Sequence, residues 1–547
     1  METVRKGSKI GHRTLLRLGE VTALRETGQL GRIIAALERH LHKQRVDVDG
    51  IVAEGAPAVG AVAAAAAVWE QLGLGGFFSQ VGAERRAEVL EDAVFAMVAN
   101  RLVAPCSKRR LPEWTEHDVV MPQGWSAPSL DQYYRALDAV ADVKEETEEH
   151  LYRRLCNLTN LDLRLVCYDL TSTYFEGSTR PSDGFPSRAF GYSRDHRSDR
   201  PQIVIGLLCT TDGIPIAHHV FAGNTNDAST LPGVLDDLAK RFAVGRICVV
   251  SDRGLISRAN LETVTRAGFD HVMATRLHRE RITAQALSAV DQDTVWVEIP
   301  VHGCRAADVT LSDGTRTVVV ESDARARRDT QRTTEMIAAA ETQLLALEHR
   351  VRSGRLKDPA KIGRAAQRIL GVGRVGRLFD LEIGPGRFLY HYNEEAQAYE
   401  KLLAGRYVLT TSLTSAQADT AEVVACYRQL QTVENKFRVL KDFLRLRPVR
   451  HWTEKRVRGH VAVCVYAALM ETLITQALTA ADIRDPDLEH QHLTAARALQ
   501  QLHRVRRVEL TTNNHQITLT TRRTPLQTRI LAAVGVDTRT WDKATIT

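Results

Sequence analysis

The apolar positions of this chain change their period near residue 160. Before it they recur every three to four residues. Ile33, Ile34, Leu37 and Leu41 fall on one face of a segment at 30–43, and 59–74, 87–102 and 130–155 repeat the helical spacing. Pro105, Pro112, Pro122 and Pro128 punctuate the links. After 160 the apolar runs become short and β-rich. Strands are predicted at 163–168, 202–209 and 214–222, with Thr211-Asp212-Gly213 as the hairpin turn between the last two. A helix near 229–242, a strand at 246–251 and a helix near 257–267 follow.

Three strands, a helix, a strand and a helix is the order of a ribonuclease H-like core. The predicted fold class is therefore α/β. Asp169 is expected to end the first strand of that core, and Asp252 the fourth. The core then breaks, because 182 residues separate Asp252 from Glu434, too many for one connection in a compact domain. Strands at 295–300, 308–311 and 315–321, a helical pair at 330–351 and 359–369, and strands at 379–383 and 388–392 fill the gap. They predict a β-plus-helix insertion lying beside the core and outside its sheet. The expected organisation is a helical DNA-binding region at 1–155 and a core at 156–280. An insertion at 281–400, the rest of the core at 401–480 and a C-terminal region at 481–547 follow.

Charge sharpens this picture. The chain carries a formal +7 and a pI near 9.0, which favours a polyanionic partner. Between Tyr427 and His460 stand ten Lys/Arg against three Asp/Glu, an excess equal to that of the whole chain. The eight cysteines have no zinc-finger spacing. Several lie in apolar runs, as small buried hydrophobes do, and a reducing, cytoplasmic setting is expected. The apolar runs 58–69 and 461–470 are too short to span a bilayer, so no membrane association is expected.

Three carboxylates are the candidate chemistry. Asp169 and Asp252 follow apolar runs, and Glu434 lies in a basic helix expected to start at Asp419, with Glu422 completing a capping box, and to run to about Phe443. Each has a plain structural account: a strand-to-turn cap, an N-cap, and an ordinary i,i+4 Glu–Arg pair. Together, in this chain order, they form the hard-oxygen donor set that two Mg²⁺ require for phosphodiester chemistry. Helical spacing sets Tyr427, Arg438 and Lys441 within about 40° of Glu434. Arg445, Arg447 and Arg450 extend the basic segment, and Arg194 and His196 lie in the Arg-rich loop 175–201. These are the candidate DNA contacts. His218, His219 and the segment 224–227 read as structural.

The motifs resemble the DDE transposases of bacterial insertion sequences, in the insertion-sequence-four superfamily and closest to its IS sixteen-thirty-four branch. The resemblance covers roughly 50–480. It rests on Tyr168–Tyr174 (YDLTSTY), Gly191–His196 (GYSRDH), Gly223–Asp227 (GNTND), Ser251–Gly254 (SDRG) and the helix at 427–441. That helix is similar to the family signature Y-x2-R-x3-E-x6-K, with Tyr427, Glu434 and Lys441 in place. The signature arginine falls on Leu430, so Arg438 or Arg428 is left to take the phosphate contact. Leu430 itself is expected to pack against the core.

The resemblance implies binding of terminal inverted repeats, cleavage of element ends and joining of the 3′-OH to target DNA. It implies Asp169, Asp252 and Glu434 as ligands of two Mg²⁺ ions, with Mn²⁺ as a substitute, and a homodimeric synaptic complex. No nucleotide cofactor is expected, since no Walker-type loop occurs. The alternatives are a transposase-derived DNA-binding protein without chemistry, and a ribonuclease H-like nuclease without strand transfer.

Overall fold

The computed structural model describes residues 2–6, 9–13, 20–40, 51–159, 165–177, 187–242, 248–251, 258–275, 281–371, 373–511 and 515–546. In the N-terminal half, Leu90–Val103 (α1) and Leu130–Asp142 (α2) are helical. Ser129 and Gln132 form a capping box at the start of α2. The helical pattern at 130–155 is two helices, because the chain breaks at Val143 and resumes as Lys144–Thr159.

A nine-stranded mixed sheet follows. Its strands are Leu165–Tyr174 (β1), Gln202–Thr210 (β2), Pro215–Ala222 (β3), Cys248–Ser251 (β4) and Asp270–Ala274 (β5). Val297–Ile299 (β6), Cys304–Thr310 (β7), Arg316–Glu321 (β8) and Arg406–Thr411 (β9) complete it. The spatial order is β3-β2-β1-β4-β5-β9-β8-β7-β6. β1 is antiparallel to β2 and parallel to β4, and β4 is parallel to β5. The helices Asp227–Arg241 (α3) and Arg258–Arg266 (α4) make the two parallel crossovers. Every residue of β2 is buried, as expected of a strand covered on both faces.

Two expectations are corrected here. β5 went unread, because its five residues begin with Asp270-His271 and offer little apolar signal. Its free edge pairs antiparallel with β9, Leu409 opposite Ala274. β9 in turn pairs with β8, and β7 and β6 follow. The first part of the expected separate insertion is thus woven into the central sheet. Hydrogen bonding explains this: a strand edge inside a protein must satisfy its N–H and C=O groups. Only the remainder stands apart. The helices Asp323–Arg352 and Pro359–Leu370 and the hairpin Phe379–Gly384 with Arg387–Tyr392 close around their own apolar cluster.

The second correction concerns the boundaries at 155 and 480. Thr420–Arg428 (α5), Leu430–Arg438 (α6) and Glu454–Ala480 (α7) cover one face of the sheet. α7 packs against α1 and α2. An added Cβ at Gly459 would lie 2.1 Å from the Leu137 carbonyl oxygen, so glycine is what lets α7 and α2 approach so closely. Residues from Ala58 to Val534 share this core, and the strand Val52–Gly55 pairs with Arg507–Thr511 of the C-terminal region. Helix α7 is long and apolar enough to cross a membrane, but 78% of its most apolar window is buried inside the protein.

Cys167, Cys209, Cys248, Cys304 and Cys464 are buried and free, as small core residues. His218 is also structural. Its Nδ1 lies 2.8 Å from Glu148 Oε1, and Lys144 and Arg241 close the same buried ionic cluster.

Candidate active site

Asp169 lies in the middle of β1, not at its end, opposite Leu207 of β2. The strand continues because Thr171 and Thr173 are β-branched, buried and paired with β2. Side chains alternate across the sheet. Val166, Tyr168 and Leu170 enter the cluster under α3 and α4, whereas Cys167 and Phe175 enter the core beneath α5–α7. Asp169 therefore belongs to the α5–α7 face. Its Oδ1 accepts the Leu170 backbone N–H at 2.7 Å. On the opposite face, burial pushes the Tyr168 phenol above its ordinary range, and its hydroxyl donates to Thr230 Oγ1 at 3.0 Å.

The helix opposite was expected to run unbroken to about Phe443. The capping box of Asp419 and Glu422 is present. The helix, however, turns at Gln429, between α5 and α6, and ends in a wider π turn at Val439–Phe443. Leu430, Val433, Phe437 and Leu440 are buried beneath it. Leu430, in place of the signature arginine, packs in the core as expected.

Helix α6 lies along β1 and β2. At one end, Thr432 and Lys436 border Gly213 of the β2–β3 turn. Past the other end, Lys441 Nζ reaches Asp195 Oδ1 at 2.8 Å. The neighbouring Arg194 backbone N–H donates to Ser172 Oγ of β1 at 3.0 Å. The helix thus passes the level of Asp169 on the face that Asp169 shares. Glu434 is exposed on it and accepts from Gln431 Nε2 at 2.9 Å. Asp252 lies outside the described residues. Among the described residues no three His, Cys, Asp or Glu side chains form a metal-binding group.

The expected cations divide into separate sets. Arg438 is exposed one turn beyond Glu434 and, among the described residues, forms no ion pair. Tyr427, across the Gln429 turn, packs on Tyr407 with ring centroids 5.6 Å apart. Arg428 is drawn away from Glu434, to the side of Tyr407 and Cys304. Lys441 is not on an open stripe. The π turn rotates it from ideal helical phase, and burial pushes its ammonium below the ordinary range against the pull of Asp195. Arg447 also binds Asp195, and its Nη2 lies 2.7 Å from Asp442 Oδ1. Arg450 pairs with Glu176 at 2.9 Å. Arg194 pairs with Asp227 at 2.6 Å. His196 is exposed with φ at 56°. Arg445, Arg447 and Arg450 also line a cavity with residues 101–110 of the N-terminal half.

Asp195, whose side chain is 4% exposed, was not singled out from the sequence. Between Arg194 and His196 it reads as one charge in a solvated loop. The Lys436–Glu471 pair, 2.7 Å apart and buried, was missed as well. It joins α6 to α7, and 35 residues of sequence conceal it.

A family model, the transposase DDE domain, matches residues 161–470. That span runs from just before β1 into α7. No curated protein matches the chain. Among solved structures, the cryo-EM structure of the piggyBac transposase synaptic complex with hairpin DNA is similar at 9% identity and a TM-score of 0.33. The similarity covers 76% of this chain and 70% of that one. With more than half of its length matched by the family model, the chain belongs to the transposase DDE domain family.

Proposed function

We propose that the chain is a DNA transposase that binds terminal inverted repeats, cleaves the element's ends and joins the freed 3′-OH to target DNA. The observation that carries this is the passage of the Glu434 helix along β1 on the face that Asp169 occupies, inside the span matched by the family model. The order β3-β2-β1-β4-β5, with β1–β4 and β4–β5 parallel, supports a ribonuclease H-like reading of that part of the sheet. The motifs from Tyr168 to Lys441 favour the insertion-sequence-four superfamily and its IS sixteen-thirty-four branch.

Asp252 is assigned to the site from its place in the sequence. Cys167 of β1 pairs with Val250 of β4, and two residues further along the two segments are Asp169 and Asp252. Carboxylates alone make up the donor set of Asp169, Asp252 and Glu434, which suits Mg²⁺, with Mn²⁺ as a substitute. Two such ions, when bound, lower the barrier to in-line displacement at phosphorus. The protein's own part is positional. β1 holds Asp169 rigidly within a paired strand, and α6 holds Glu434 through its buried Val433–Phe437 side. Arg438, beside Glu434 and without an ion pair among the described residues, is left to take a phosphate. Water attacks first and leaves a 3′-OH on the element. That hydroxyl then attacks a target phosphodiester and displaces a 3′-oxygen, so bonds made equal bonds broken and no ATP is needed. A homodimer would bring two ends together, in a bacterial cytoplasm at the nucleoid.

Incubation of the protein with Mg²⁺ and DNA bearing the ends of its own element tests this. Nicked ends and joined products are expected. Cleavage without joining would reassign the chain as a nuclease, and binding without either as a DNA-binding protein.

A further inference from the structure

Beyond the C-terminal end of β1 the structure holds a cavity of about 1060 Å³. Arg101, Lys108, Arg109 and Arg110 enter it from the N-terminal half. Arg445, Arg447, Arg450 and Arg456 enter it from the other wall. Among the described residues no carboxylate lines it. Some of these cations have partners outside the cavity: Arg447 with Asp195 and Asp442, Arg450 with Glu176, Arg456 with Asp138, and Arg110 with Glu113. The innermost two differ. Arg101 is 4% exposed, and among the described residues it donates to the Leu444, Arg445 and Cys106 carbonyl oxygens and the Asn100 amide oxygen, all neutral. Lys108 is 5% exposed, and no described carboxylate pairs with it.

Burying two cations side by side without a counter-ion is costly. A stable protein keeps such a pair where an anion repays it. The surroundings agree. Burial, and then Arg101, push the Lys108 ammonium down to about 7, and burial followed by Lys108 holds His451 down to about 3. The chemistry selects the anion. Guanidinium groups bind phosphate oxygens bidentately, and the four lining cations without a carboxylate partner among the described residues, Arg101, Lys108, Arg109 and Arg445, suit several phosphates better than one carboxylate. The placement suggests the source. Val449 bridges to Phe175, six residues along the chain from Asp169. At strand rise that is about 20 Å, or six base-pair steps of duplex.

We propose that this cavity is a phosphate site, and that it holds the backbone of DNA extending from the Asp169 face. The source of the phosphate rests on the transposase reading, whereas the anion chemistry does not. Lys108→Met in the full-length protein should weaken tripolyphosphate binding at least tenfold in calorimetry. It should also raise the melting temperature in phosphate-free buffer, because an uncompensated charge is gone. The salt slope of DNA binding should fall by roughly 0.9. Arg445→Ala, an exposed change, keeps the test open should Lys108→Met fail to fold. Tripolyphosphate affinity unchanged in the folded variants overturns the proposal. Lost tripolyphosphate affinity with an unchanged DNA salt slope overturns the DNA assignment and leaves a free polyphosphate as the ligand. Asp169→Asn protein, run alongside, should keep tripolyphosphate binding, so failure of the catalytic reading remains distinguishable.

Discussion

Lys441 Nζ donates to Asp195 Oδ1 at 2.8 Å, with both side chains nearly buried, and so ties the end of the Glu434 helix to the loop that follows β1. Arg447 shares the same carboxylate oxygen. Two of the cations expected to clamp phosphate are therefore engaged inside the protein. Asp195→Asn should destabilise the fold by about 3 kcal/mol, since removing one partner leaves the nearly buried Lys441 uncompensated. Urea unfolding midpoints test this. A change below about 1 kcal/mol would mean that the pair is incidental to the fold.

The three carboxylates should act as one unit. Asp169→Asn, Asp252→Asn and Glu434→Gln are each expected to lower cleavage more than roughly a thousandfold, about 4 kcal/mol of barrier. Binding to element ends should survive in all three. The assay is Mg²⁺-dependent nicking of a labelled end. Near-normal nicking by any variant removes that residue from the site.

Arg438 and Arg428 provide a paired test of the phosphate contact. Arg438 is exposed one turn from Glu434, whereas Arg428 lies beside Tyr407 and Cys304 across the Gln429 turn. Arg438→Ala should impair cleavage more than Arg428→Ala. The reverse ranking would place the reacting phosphate on the β9 side of the helix.

Leu430 is 7% exposed and packs in the main core. Leu430→Ala should cost about 2–5 kcal/mol of stability through lost packing, while the salt slope of DNA binding stays unchanged. A shifted slope at full stability would show that position 430 meets DNA.

Much of this molecule is local, and local physics is legible in sequence. The hairpin at Gly213, the capping box at Asp419 and Glu422, and the burial of the apolar run 461–470 within α7 follow from turn chemistry, cap spacing and apolar density. The burial of Leu430 and the structural role of His218 were likewise readable from residue type and spacing. The motif order from Asp169 to Glu434 carried the DDE transposase reading, and at that level the family model over 161–470 supports it independently.

Other features depended on which distant segments meet. β5 has a weak signal of its own and exists because β4 and β9 flank it, and that contact drew the 297–321 strands into the sheet. Asp169 sits in mid-strand because β2 pairs with it beyond the apolar run. Asp195 became a buried counter-ion only when Lys441 and Arg447, about 250 residues away, closed over it. Arg101 and Lys108 met the basic segment across a similar gap of roughly 340 residues. Periodicity reports which face of an element is buried, not which element buries it. The partners of buried charges are therefore decided by tertiary packing alone, where desolvation makes each charge depend on what lies opposite.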